Sequence, residues 1–337
     1  MLGIKIKYIV VFCLSFSQLI GASFLLSRHF TEDFINDAHS YVEMSNGNYD
    51  VTITHRYRFV IPVAAGVVAD VFDKVGNHIW KKERPALWSE RLGFLLVNTF
   101  VMSLAAVMLF VFLESFGFGL MACFLGLMPF LTSFHAIYDS SLPGTDSLYL
   151  LAIIWFFVAL KTESFTALLF SSILGILAKE AFFMFLPLLF FVKKVSVLKK
   201  SIIVAFTILT YVLVRLVINS IVPEVDMEKG ISNALSHIDS VSVTLSRIFS
   251  VQGVLEIVSA FTFFYIPFVW SAINYKQLFI KMPVYFLLIF PVISCHIMLS
   301  AELPRMLLYS FPIVCLFVSY FFELNLVKLG ASTTGKE

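Results

Sequence analysis

The chain has 337 residues, is 59% hydrophobic and only 14% charged, and its mean hydropathy is +0.92. A soluble domain carries about a quarter charged residues, so this composition excludes an ordinary soluble enzyme and predicts a polytopic membrane protein. The net charge of +2 says little about partners, since nucleic-acid binding would need a clustered basic face, and no nucleic acid is expected as a partner.

Lys5 and Lys7 precede the run YIVVFCLSFSQLIGASFLL, which is longer than the apolar core of a removable signal. It predicts a retained transmembrane helix near 6–27. A polar interruption, 28–92, follows. Within it Thr31 can cap a helix whose first turn carries Glu32 and Asp33. Phe34, Ile35, Ala38, Tyr41 and Val42 recur at helical spacing and Gly47 supplies a stop, predicting an amphipathic surface helix of about 14 residues. Its polar face carries Asp33, Asn36, Asp37 and Ser40, and HRYRFVIP then brings His55, Arg56 and Arg58 to the same interface. Residues 59–73 read as an interfacial helix. Counting them as a span would put the four lysines of 193–200 outside, against the positive-inside rule.

Further spans are predicted near 93–113, 117–135, 147–160, 201–222, 254–273, 282–300 and 306–325. The stretch 164–192 is interrupted by Lys179-Glu180. As one helix it would hold both charges at mid-bilayer, at about 2.5–3.5 kcal/mol each. A hairpin of two short helices places them at a membrane face and brings the total to about ten spans. The expected fold is an all-α transmembrane bundle forming a single domain over 1–325, with 326–337 a disordered cytoplasmic tail. Lysine placement puts both termini in the cytoplasm. The outer face then presents 28–92, loops near 136–146 and 179–180, 223–252 and the corner at 301–305. Cys13, Cys123, Cys295 and Cys315 fit no zinc or disulfide spacing and are expected to be packing residues.

Carboxylates beside cations on an outer rim suit chemistry on a lipid-linked phosphate. Carboxylates can take a proton or hold a divalent ion, and arginines can hold phosphate. The plainer alternative is a solvated amphipathic helix with snorkelling arginines. No glycine-rich phosphate loop is present for a nucleotide sugar. His135 and His296, single histidines in apolar helices, are expected to be packing residues.

The pair DAHSYVEMSNG and HRYRFVIP resembles the first outer loop of GT-C-type integral membrane glycosyltransferases, among them the bacterial aminoarabinose transferase and the protein O-mannosyltransferases. The resemblance implies a GT-C-like bundle in the bacterial inner (plasma) membrane with its active site on the outer face. There the enzyme would move a sugar from a polyprenyl-phosphate donor to an acceptor glycan, lipid or protein, with inversion. It implies that Asp37 is the general base. In YDSSLPGTD it offers Asp139 and Asp146 as a second acid, with helix capping equally open to Asp146. GILAKEAFFMFLP resembles the family's lysine-bearing turn and nominates Lys179 for the donor phosphate, with an ion pair to Glu180 as the alternative. Arg215 inside YVLVRLVINS and Arg305 in AELPRMLLYSFP could neutralise the departing phosphate, with Arg56 or Arg58 beside them. A divalent metal (Mg or Mn) held by Asp37 with Asp33, Asp139 or Asp146 stays open. The competing readings are a polymerase of lipid-linked repeats and a lipid-linked sugar flippase. A transporter predicts ionisable groups through the bilayer centre and repeated broken helices.

Overall fold

The computed structural model describes residues 6–27, 36–79, 88–222, 241–274, 286, 288–300 and 303–334. Among these the regular structure is helical, with no strand. Five helices are long and apolar enough to cross a membrane, or six if a bent pair forms one span. The protein is a helical membrane protein.

Helix α1 (Ile6–Ser27) buries one residue per turn, Val11, Ser15, Leu19 and Ser23, and turns its remaining apolar surface outward. In the loop that follows, α2 (Asn36–Ser45) carries Asp37, Ala38, Tyr41 and Val42 of the expected helix. Thr31, Asp33, Phe34 and Ile35 lie outside the described residues. Gly47, at φ +84°, ends the turn after α2 in a backbone conformation that glycine adopts freely. The helix expected over 59–73 is present as α3 (Val60–Ile79). Val63, Val67, Val71 and Val75 form an exposed stripe along it. Its other face lies against α4 (Trp88–Glu114) at Gly93, where a Cβ would stand 2.4 Å from the Ala65 carbonyl oxygen.

Helix α4 is the hub, touching α1, α3 and α5 (Leu120–Thr132), α6 (Phe134–Ser141), α7 (Asp146–Thr162) and the last long helix. The predicted span 117–135 is corrected to the bent pair α5–α6, which turns by 60°. The cause is local: Pro129 removes a backbone donor inside α5, and Ser133, in an extended conformation, caps α6 by accepting from the His135 N–H.

The break expected at Lys179-Glu180 is present. It separates α8 (Phe165–Ala178) from a 3-10 helix (Glu180–Phe191). Then come α9 (Val197–Ile221), a helical stretch at 241–248, α10 (Val251–Phe261), α11 (Tyr265–Ile273), α12 (Ile289–Ser300), the short α13 (Leu303–Leu307) and α14 (Phe311–Thr334). The backbone of α14 stays helical to Thr334, past the predicted end at 325, so most of the expected tail is helix. Cys123 and Cys315 are buried as expected, but Cys13 and Cys295 face outward.

Polar contacts fall into two layers. At one end Lys7 pairs with Glu114, Tyr8 donates to Glu114, Glu323 accepts from the Gly119 N–H, Lys161 lies over Phe116, and Glu163 accepts from the Lys194 N–H. At the other end lie Arg58, Asp146, Lys179, Glu180 and Arg305. Between the layers, residues 8–27, 92–113, 147–160 and 306–322 contain no charged side chain. From Asp146 to Lys161 the helical rise is about 22 Å, a little under the roughly 30 Å of a hydrocarbon core. The 14-residue α8 rises about 21 Å from the Glu163 layer to Lys179. The 12-residue 3-10 helix returns about 24 Å, because its rise per residue is larger.

Candidate functional site

The second layer is built by residues far apart in the chain. Asp146 opens α7 at the end of the loop 142–145, and its carboxylate is 4% exposed. Arg305, on α13, donates to Oδ2 through Nε at 2.8 Å and also through Nη2. Lys179 Nζ donates to Oδ1 at 3.3 Å and Tyr309 Oη to the same oxygen at 2.9 Å. Glu180 does not pair with its neighbour Lys179. It accepts from Arg58 twice, at 2.6 and 3.3 Å, and Arg58 also donates to Tyr41 Oη at 3.4 Å. The Tyr41 ring lies 5.2 Å from that of His55, whose Nε2 is 3.4 Å from Asp37 Oδ1. A contiguous group of side chains thus runs from Asp37 on the rim to Arg305 in the interior.

Local sequence explains the placement. Asn98, fully buried on α4, donates to the carbonyls of Leu142 and Gly144 at 2.8 and 3.3 Å and accepts from Ser147 at 2.6 Å. It pins the loop that delivers Asp146. Lys179 and Glu180 face this layer because the helix breaks between Ala178 and Glu180. Tyr149, also on α7, contacts His296 Nε2 at 2.7 Å, while His296 Nδ1 lies 2.9 Å from the Val292 carbonyl. Nδ1 therefore carries the proton and Nε2 accepts from Tyr149, the packing role expected for a buried neutral histidine.

Electrostatics separates the rim from the interior. Burial pushes the His55 imidazole below its ordinary value, opposed by the Asp37 charge, so the ring is neutral near pH 7. Burial likewise lowers the Lys179 ammonium, with Asp146 pulling the other way. Around the interior carboxylates of Asp146 and Glu180 stand three cations, Arg58, Lys179 and Arg305. Asp37 differs from Asp146 in being about one-third exposed, with room to meet a solute.

Of the residues nominated from sequence, Asp37, Asp146, Lys179, Arg58 and Arg305 are brought into this group. Arg56 is buried beside it, donating to the Val51 carbonyl at 3.0 Å and lying 3.7 Å from Asp50. Arg215 sits on α9 against Tyr57 and Tyr211. Asp139 is buried on α6, and Asp33 is outside the described residues. No group of three or more His, Cys, Asp or Glu side chains is arranged to hold a metal ion among the described residues. At Asp146 the donor set does not fit one, since both carboxylate oxygens already accept from cationic side chains. Glu180, Tyr309, Tyr41, His55 and Asn98 were not nominated. For Asn98 a signal exists, a lone amide in the long apolar run 92–113.

No family model, no curated protein and no solved structure matches this chain.

Proposed function

We propose that the protein is a GT-C-like glycosyltransferase of the bacterial inner membrane. It moves a sugar from a polyprenyl-phosphate donor to an acceptor glycan, lipid or protein at the outer face. In this reading the chain crosses the bilayer about ten times, with both termini cytoplasmic and the α8 and 3-10 hairpin contributing two crossings. The observation that carries the reading is the convergence of Asp37, Arg58, Lys179 and Arg305 at one end of the bundle. There a carboxylate about one-third exposed borders an interior that gathers three cations. The charge-free helices between the two polar layers favour surface chemistry over a conduit, which would place ionisable groups in between.

In the reaction, Asp37 takes the proton of the acceptor hydroxyl as its oxygen attacks the anomeric carbon. The bond from that carbon to the phosphate oxygen breaks, and the electron pair leaves with the lipid phosphate. Lys179, Arg305 and Arg58 stabilise the charge developing on that phosphate. One displacement inverts the anomeric centre. Asp146 and Glu180 hold these cations in place and offset their charge.

The test is sugar release or transfer by purified protein in nanodiscs across a panel of radiolabelled polyprenyl-phosphate sugars, with product configuration read by NMR. Turnover with inversion is expected for at least one donor. Absence of turnover across the panel, or retention, contradicts the proposal.

A further inference from the structure

Three helical segments break where they meet. The pair α5–α6 turns at Ser133. The span Val251–Ile273 is interrupted between α10 and α11 by the 3-10 turn Thr262–Phe264, and the 3-10 turn Leu308–Ser310 separates α13 from α14. Backbone groups freed by a break in lipid need partners, and one hydroxyl serves two of these breaks. Ser133 Oγ accepts from the His135 N–H at 3.3 Å and donates to the Ala260 carbonyl at 3.3 Å. The Phe311 ring, beside the third break, lies 5.3 Å from the rings of both Phe130 and Phe261. Thr262 stands at φ +50° and ψ −132°, a strained conformation for a β-branched residue.

On one side of the breaks the helices are tightly joined. Gly126 of α5 faces Ser319 of α14 with no room for a Cβ. Ser271 of α11 donates to the Phe317 carbonyl at 2.8 Å, and the rings of Phe268 and Trp270 lie 5.2 and 5.1 Å from those of Phe317 and Phe321. On the other side α10 is lightly held. It buries Gly253, Ala260 and Phe261 and leaves Val251, Val254, Leu255 and Val258 exposed. Its Glu256 pairs with Arg247 of the preceding stretch, and its packing partner is α13, which carries Arg305 onto Asp146. Elements with so few buried contacts are the ones that open at the lowest free energy.

We propose that α10 and α13 form a cap that hinges about Thr262 and residues 308–310, with Arg305 on Asp146 as its latch. Lifting the cap takes Arg305 off Asp146 and Ala260 off Ser133, and opens the interior end of the polar layer to a solute. Strain at Thr262 favours lifting, and the latch opposes it. The inference concerns the motion alone and stands whether or not the protein transfers a sugar.

The test is double electron–electron resonance on protein in nanodiscs, in a background with the four cysteines replaced. Nitroxide labels at the exposed positions Val254 and Leu25 report the cap against α1, and a pair at Leu120 and Val269 reports the tightly joined side. The first pair is expected to show two distances and the second pair one. Asp146→Asn, which weakens the latch, should raise the ratio of lifted to seated cap by at least about tenfold, the loss of one charged hydrogen bond. Ser133→Ala, a milder change that leaves the latch intact, should raise it by about threefold. One narrow distance for the Val254–Leu25 pair in the wild type and both variants would overturn the cap. So would populations unmoved by Asp146→Asn, or equal broadening of both label pairs, which would mean a loosened bundle and no hinge.

Discussion

Replacing Asp146 with asparagine removes one negative charge from beneath two cations and leaves an amide with a single acceptor. Lys179 and Arg305 are 15% and 20% exposed at their side chains, so water compensates little of the loss. Removing one partner of a buried ion pair costs about 3–5 kcal/mol. The partial exposure of Arg305 argues for the lower end, about 3 kcal/mol. Thermal unfolding of the variant in nanodiscs should fall by roughly 5–10 °C. A double-mutant cycle with Arg305→Gln is the sharper assay, because removing both charges leaves fewer uncompensated groups than the single changes suggest. A coupling energy above about 1 kcal/mol is expected. An Asp146→Asn variant within about 0.5 kcal/mol of wild type, or strict additivity in the cycle, would refute the view that this carboxylate organises the site.

Asn98→Ala should cost about 2–3 kcal/mol, since three hydrogen bonds to the 142–147 loop are lost. Hydrogen exchange should speed up in that loop before the rest of the bundle. Gly175→Ala would place a Cβ 2.2 Å from the buried Phe182 ring, and the strain between α8 and the 3-10 helix should lower stability by about 1–3 kcal/mol. His55 is held below its ordinary value of 6.5 by burial, so the unfolded ring binds more protons than the folded one as pH falls beneath that value. Stability should be level above about pH 6.5 and decline on acidification. His55→Gln should flatten that decline in a pH series of melting curves.

Much of the layout is legible in the sequence because its signals are local. A charged pair inside an apolar stretch marks the turn at Lys179-Glu180, and the polar break after α1 marks the loop bearing Asp37. The bend at Ser133 was also present in outline, as a proline four residues before a serine that can cap. The pairing was hidden. Lys179 has Glu180 beside it in sequence, yet it pairs with Asp146, 33 residues away, while Glu180 reaches Arg58 at a separation of 122. Which acid meets which base depends on helix order in space, and the apolar periodicity does not encode that. Tyr41, Tyr149 and Tyr309 were hidden for a related reason. In an aromatic-rich chain their spacing is that of core residues, and only the structure shows their hydroxyls bonded to Arg58, His296 and Asp146.

The account divides labour between a rim carboxylate that moves the proton and an interior cation group that holds the phosphate. Its most direct test measures donor binding and donor turnover separately in Asp37→Asn and in Lys179→Gln, using a polyprenyl-phosphate sugar turned over by the wild type. The account predicts that Asp37→Asn keeps donor affinity within about threefold while turnover falls by at least about a hundredfold, within the range for loss of a general base. Lys179→Gln should weaken binding itself. Full turnover by Asp37→Asn, or loss of binding in step with turnover, would contradict it.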